Sequence, residues 1–151
     1  MDFNPDWSAI TSNLVHLGIA YLLAIPIAWN REKYSRSAGL RTFPMVAMST
    51  CGYMLIGMQV LDTTDAEARV MYGIITGMGF IGGGAILKSG QGRDVSGTAT
   101  AAALWTTGAI GLAVAWRRFE IALLLSVLTF CTLQFVYPIK ERLRGGEDPR
   151  D

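Results

Sequence analysis

Five apolar runs separated by short polar loops leave this chain few ways to fold. They cover about 9–29, 43–61, 70–87, 97–116 and 119–137, each near the ~20 residues that a helix needs to cross hydrocarbon. Inside a bilayer every backbone N–H and C=O must find its partner within the protein, so such runs become helices. Hydrophobic residues make up 51% of the 151 and charged residues only 17%, a balance away from that of soluble domains. The expected fold is an all-α integral membrane protein. A bundle of about five transmembrane helices would occupy 1–138, and a charged tail 139–151.

The third run contains GIITGMGFIGGGAIL, at 73–87, with Gly73, Gly77, Gly79, Gly82, Gly83 and Gly84 and no charge before Lys88. Glycine weakens a helix in water by roughly 1 kcal/mol relative to alanine. In a membrane no water competes for the backbone, and the missing side chain lets helices approach. Gly73/Gly77 and Gly79/Gly83 form two small-xxx-small pairs on different faces, so close neighbours are expected on two sides and this helix should be the buried hub. Gly82-Gly83-Gly84 admits two readings. It permits close packing, or it unwinds the helix and turns carbonyls toward a ligand or ion, as in broken transporter helices. The fourth run opens on Thr98, Ala99, Thr100, Ala101, Ala102 and Ala103 and suits a helix packed against that hub. The fifth is the oiliest and should face lipid.

The loops supply orientation. Trp7 and Trp29 bracket the first run, roughly 33 Å apart at 1.5 Å per residue, as aromatic belts would. Pro26 lies near its end. Thr42-Phe43-Pro44 opens the second run with proline in the first turn, where its missing N–H matters little. Thr64 and Glu67 have capping-box spacing, so the third helix is expected to begin there. KSGQGRDVS, at 88–96, reads as a flexible polar loop. With the N-terminus outside, ten Lys and Arg fall in the inner segments 30–42, 88–96 and 139–151, and only Arg69, Arg117 and Arg118 fall outside. The positive-inside rule therefore predicts an outside N-terminus and a cytoplasmic C-terminus. The tight Arg117-Arg118 turn fits that scheme least well.

Several functions lose support. Basic residues form short clusters without interleaved aromatics, so no nucleic-acid partner is expected. Cys51 and Cys131 sit in apolar runs and behave as small hydrophobes, with no disulfide required. With one histidine they cannot make a zinc site. The start, MDFNPDWSAI, lacks a basic n-region, so no cleaved signal peptide is expected. His16 is the ionisable group at depth in the first run, which makes it either a functional candidate or a hydrogen-bonded structural imidazole. No nucleophile–base pair is evident, and the chain is not expected to be an enzyme.

Magnesium would need oxygen ligands, usually one or two carboxylates with retained waters. No Asp or Glu is expected within any membrane span. The nearest acids are Glu32 and Asp94, which could converge with Arg31, Arg41 and Arg93 at the inner mouth. The plainer reading has Asp94 capping the fourth helix and Glu32 pairing with a loop arginine. Gly39-Leu40-Arg41-Thr42 and Gly97-Thr98-Ala99-Thr100 each precede an outgoing helix, a faint parallel repeat. Two function classes remain: a regulator acting by helix contact, and a carrier or channel with a site at the glycine break. The lack of intramembrane carboxylates favours the first.

Two blocks, RE-KYSR-SAGLRT and RVMYGIITGMGFIGGGAILKSGQGRDVSGTATAAALWTTGAIGLA, resemble the MgtC/SapB family of bacterial inner-membrane proteins over about 17–116. Arg31-Glu32, the 38–42 turn, the 77–84 glycine helix, 96–101 and Trp105 carry the resemblance. Ser96 stands where the family has a basic residue, and Thr98-Ala99-Thr100 replaces LTT. No counterpart of the longer members' soluble domain is expected after Pro138. The resemblance implies a multi-pass inner-membrane protein of magnesium homeostasis and low-Mg²⁺ growth, tied to intracellular survival in pathogens. It also implies partners among membrane proteins: a second copy, an ATP synthase or a transporter subunit. Candidate functional residues are Glu32, Arg41, Gly77, Gly82, Gly83, Gly84, Asp94, Thr100 and Trp105. No cofactor is expected, with Mg²⁺ binding left open.

Overall fold

The computed structural model describes residues 6–34, 38–88 and 95–144, with the backbone alone at 87, 88, 95 and 137–144. Five helices run α1 (Trp7–Tyr34), α2 (Thr42–Val60), α3 (Thr64–Gly84), α4 (Thr98–Ala115) and α5 (Phe119–Arg144). Four of them, α1, α2, α4 and α5, are long and apolar enough to cross a membrane. The molecule is an all-α membrane bundle. The regular structure outside the helices, among the described residues, is a two-residue antiparallel pair, β1 (Leu87–Lys88) with β2 (Val95–Ser96). The expected flexible loop at 88–96 therefore has a paired stem.

Successive helices alternate in direction. α2 returns along α1, with Gln59 Nε2 donating to Asn13 Oδ1 at 3.1 Å and Gly52 opposite Leu17. α3 meets α2 at Gly57 and Val70. α4 meets α3 at Gly108 with Met78, then at Gly82 with Trp105. α5 runs parallel to α1. The His16 and Phe119 rings lie 5.9 Å apart, Ser126 Oγ donates to the Leu23 carbonyl at 2.6 Å, and Asn30 Nδ2 donates to Gln134 Oε1 at 2.9 Å. Each contact steps along both helices in the same sense.

The hub is α4, not α3. Twelve of the 18 residues of α4 are buried by protein, whereas α3 buries only Met78 and Gly82. The reason is geometric. A Cβ on Gly111 would collide with Thr50 Oγ1 and the Ala47 carbonyl, and would lie 3.0 Å from the Cys51 nitrogen, so α2 and α4 cross almost backbone to backbone. α3 lies at the edge of the bundle. A Cβ on Gly73, Gly77, Gly79, Gly83 or Gly84 would meet nothing within 4 Å. Both expected small-residue faces of α3 are thus open, and the two close neighbours they implied are not there. α5 is the most exposed membrane helix, with 11% of its apolar window buried, as its oiliness predicts.

Helix ends follow local chemistry. Thr63, not Thr64, caps α3, its Oγ1 accepting from the Ala66 N–H at 3.2 Å. Asp65 and Glu67 then place negative charge at the positive end of the helix. α4 ends in a Schellman turn, with the Arg118 N–H bonded to the Ala113 carbonyl and the Arg117 N–H to that of Val114. Arg117 takes the left-handed position, φ 58°, that usually belongs to glycine. Glu120, which lies within the expected fifth run, sits in the first turn of α5, exposed and 3.6 Å from Arg118. The helix itself continues past the expected end at 137 to Arg144.

Candidate functional site

The polar residues gather where α1 ends, α2 and α4 begin, and α5 approaches its end. α1 continues one turn beyond Trp29, and that turn is buried: Asn30 is 2% and Arg31 5% exposed. Asn30 links two helices. Its Nδ2 donates to Gln134 Oε1 on α5, and its Oδ1 accepts from Arg31 Nε at 3.2 Å and Nη2 at 2.6 Å. A permanently charged guanidinium is thereby held at the end of the bundle by an amide relay. Neither amide was legible as a site residue. The signal for Gln134 was there, a lone carboxamide in an oily helix that must bond to another helix.

Glu32 faces the other way. It is exposed, and its Oε2 accepts from the Leu40 N–H at 2.9 Å, with the carboxylate lying directly over Gly39. A side chain at Gly39 would occupy the carboxylate's position. This backbone contact, rather than the expected loop arginine, fixes the AGLRT turn to α1. Thr42 and Phe43 N–H then both bond to the Gly39 carbonyl, which starts α2. Arg41 is exposed and lines a groove between α2 and α3.

Thr100 is buried at 2% in the first turn of α4. The residue that opens α4 is Gly97, in the left-handed region at φ 90°. A Cβ there would run into the Ala85 carbonyl oxygen, so the position demands glycine twice over. Asp94 was expected to cap α4; the N-cap is Gly97, and Asp94, like Arg93, lies outside the described residues. The suspected repeat is not shared in detail. Gly97 is the positive-φ glycine of the described chain, and Gly39 is held instead by a carboxylate.

The glycine triplet terminates α3 rather than breaking it. The Ala85 N–H reaches the Ile81 and Gly82 carbonyls, and the Ile86 N–H that of Gly83. The carbonyls of Ile81, Gly82 and Gly83 are therefore used by the chain. Gly82 alone of the three is buried, with a hypothetical Cβ 3.3 Å from Trp105 Cδ1. Trp105 thus serves as the clasp between α4 and the end of α3. Gly77 lines the groove and does not meet Trp105's side of the helix. Among the described residues no three His, Cys, Asp or Glu side chains come together as metal ligands. His16 is buried and its Nδ1 lies 2.7 Å from the Ser12 carbonyl of its own helix.

The MgtC family model matches residues 17–142, nearly the whole bundle including this polar end. The chain belongs to the MgtC family. Relatives include Protein SrpB of Synechococcus elongatus, 32% identical over 85% of this chain and 75% of SrpB. The putative magnesium transporter YhiD of Escherichia coli K12 is 29% identical over 86% of this chain and 63% of its own length. Protein MgtC of Salmonella typhimurium is 33% identical over 78% of this chain, and the match covers 49% of MgtC. The chain thus spans about half of MgtC and somewhat less than two thirds of YhiD. No solved structure matches it. In this MgtC-family chain, Glu32 and the AGLRT turn form one unit, while Trp105 and Gly82 form another at the α3–α4 contact.

Proposed function

We propose that this chain is a regulator of magnesium homeostasis in a bacterial inner membrane, acting through helix contacts inside the bilayer and without a catalytic step. Its N-terminus would lie outside and its C-terminus in the cytoplasm, following the ten-to-three distribution of basic residues. The link to magnesium comes from the relatives, one of which bears the description putative magnesium transporter. The observation that carries the mode of action is the outer face of α3. Tyr72, Thr76, Gly79 and Gly83 lie on one side of that helix, exposed, with room for another backbone at both glycines. Small residues on a bilayer-facing helix favour close association with a second helix. The partner is a second copy or another membrane protein.

A carrier is the competing reading. Its site was placed at an unwound Gly82-Gly83-Gly84 segment, but the carbonyls of Gly82 and Gly83 are bonded to the Ala85 and Ile86 N–H groups. Carriers also mark their ion paths with intramembrane charged groups or histidines, and α2, α4 and residues 70–84 of α3 contain no Asp, Glu, Lys, Arg or His.

The test pairs growth with flux. A strain lacking the gene is complemented at limiting Mg²⁺ with the wild type, Gly79→Leu and Gly83→Leu, and the purified proteins are reconstituted for Mg²⁺ uptake. Loss of growth with both variants folded, and no uptake by the wild type, supports the regulator. Saturable uptake by the wild type replaces it with a carrier.

A further inference from the structure

Between α2 and α3 a lateral groove of about 1240 Å³ opens beside the bundle. The two helices touch where Gly57 receives the Val70 side chain, 3.4 Å from a hypothetical Cβ, and the groove extends from there to Arg41. Its walls are apolar for most of this length, with Tyr53 on one side and the open Gly73 and Gly77 on the other. From Arg41 to Leu61 the α2 wall is roughly 30 Å long at 1.5 Å per residue, a hydrocarbon thickness. The ends differ in charge. Arg41 is exposed, and among the described residues no carboxylate or carbonyl bonds to its guanidinium. Thr42 lies beside it, also lining the groove, at the positive end of a helix whose first turn carries no acid. The opposite end leads to the exposed Asp62 and Asp65.

We propose that this groove holds an anionic phospholipid, its phosphate on Arg41 and Thr42 and an acyl chain lying along Gly73 and Gly77. One wall is α2, a helix long and apolar enough to cross a membrane, and an apolar groove along such a helix favours hydrocarbon over water. The charge asymmetry selects both the head group and the end at which it sits. A guanidinium pairs with a phosphate through two parallel N–H bonds, which a zwitterionic head group partly offsets with its own ammonium. This site stands apart from the outer face of α3 and does not depend on the regulator reading.

The full chain in mild detergent is titrated with phosphatidylglycerol and, separately, phosphatidylcholine, and bound lipid is counted by native mass spectrometry. Phosphatidylglycerol is expected to bind about five-fold more tightly, the attraction of one arginine for an anionic lipid. Arg41→Ala should abolish that preference, Arg41→Lys should retain most of it, and Arg118→Ala should leave it unchanged. The Gly73→Leu/Gly77→Leu double variant should weaken both lipids, since its new side chains fill the groove. Equal binding of the two lipids, or a preference that survives Arg41→Ala in folded protein, overturns the proposal. So does Gly77→Cys crosslinking efficiently between copies in phosphatidylglycerol membranes, which would put a second chain in the groove.

Discussion

α3 and α4 are both rich in small residues, yet they do opposite things. α4 uses its glycines inside the molecule: Gly111 lies against the α2 backbone and Gly108 against the Met78 side chain. α3 uses only Gly82 in this way and leaves Gly73, Gly77, Gly79, Gly83 and Gly84 open. The same residue type marks a close crossing in one helix and a vacant face in the next. Glycine permits approach; it does not supply the neighbour.

The strongest way to break this contrast is substitution at the two kinds of glycine. Gly111→Leu should prevent assembly of the bundle, and even Gly111→Ala should cost about 3 kcal/mol, because the Cβ lands on backbone that cannot move aside. Reversible unfolding in mixed micelles would measure it, and a loss below a quarter of that figure would mean α2 and α4 are not clasped as described. Gly97→Ala should cost about 2 kcal/mol or more, from the left-handed backbone and the Ala85 carbonyl together, read as a lower melting temperature. Gln134→Leu should cost about 1 kcal/mol by removing the acceptor for Asn30, within the range of interhelical hydrogen bonds in membranes. Arg117→Gly should move stability the other way, up by about 1 kcal/mol, by relieving a left-handed arginine. Smallest of all, Gly79→Ala should change the stability of the isolated chain by under ~0.5 kcal/mol, since nothing lies within 4 Å of the new methyl. A loss at Gly79 as large as that at Gly111 would place a neighbour on α3 and erase the distinction.

Much of the membrane fold was legible. The five helices, the oily exposed α5 and the small-residue packing of α4 follow from length and apolarity, which depend on the residues and the solvent alone. The site was legible in pieces. Glu32 and Gly39 could be singled out from the RE and AGLRT strings, but not that the carboxylate would seat on that glycine and bond to the Leu40 N–H. Capping of α3 shifted by one residue because Thr63 and Thr64 are chemically equal candidates, and only the chain's entry angle chooses Thr63. Asn30 and Gln134 were passed over: Gln134 calls for a partner on another helix, but nothing in the sequence pairs it with Asn30, 104 positions away.

What the residues determined by themselves was the solvent and the elements: apolar runs this long, with backbone groups that lipid cannot satisfy, become membrane helices. What only the tertiary structure decided was which helix stands at the centre. That choice depends on which surfaces the connections bring together. The short 61–63 link sets α3 against the edge of α2, while the paired β1–β2 stem returns the chain so that α4 lies among its neighbours. A small side chain leaves room at short range in every direction, so its presence cannot say which direction will be filled.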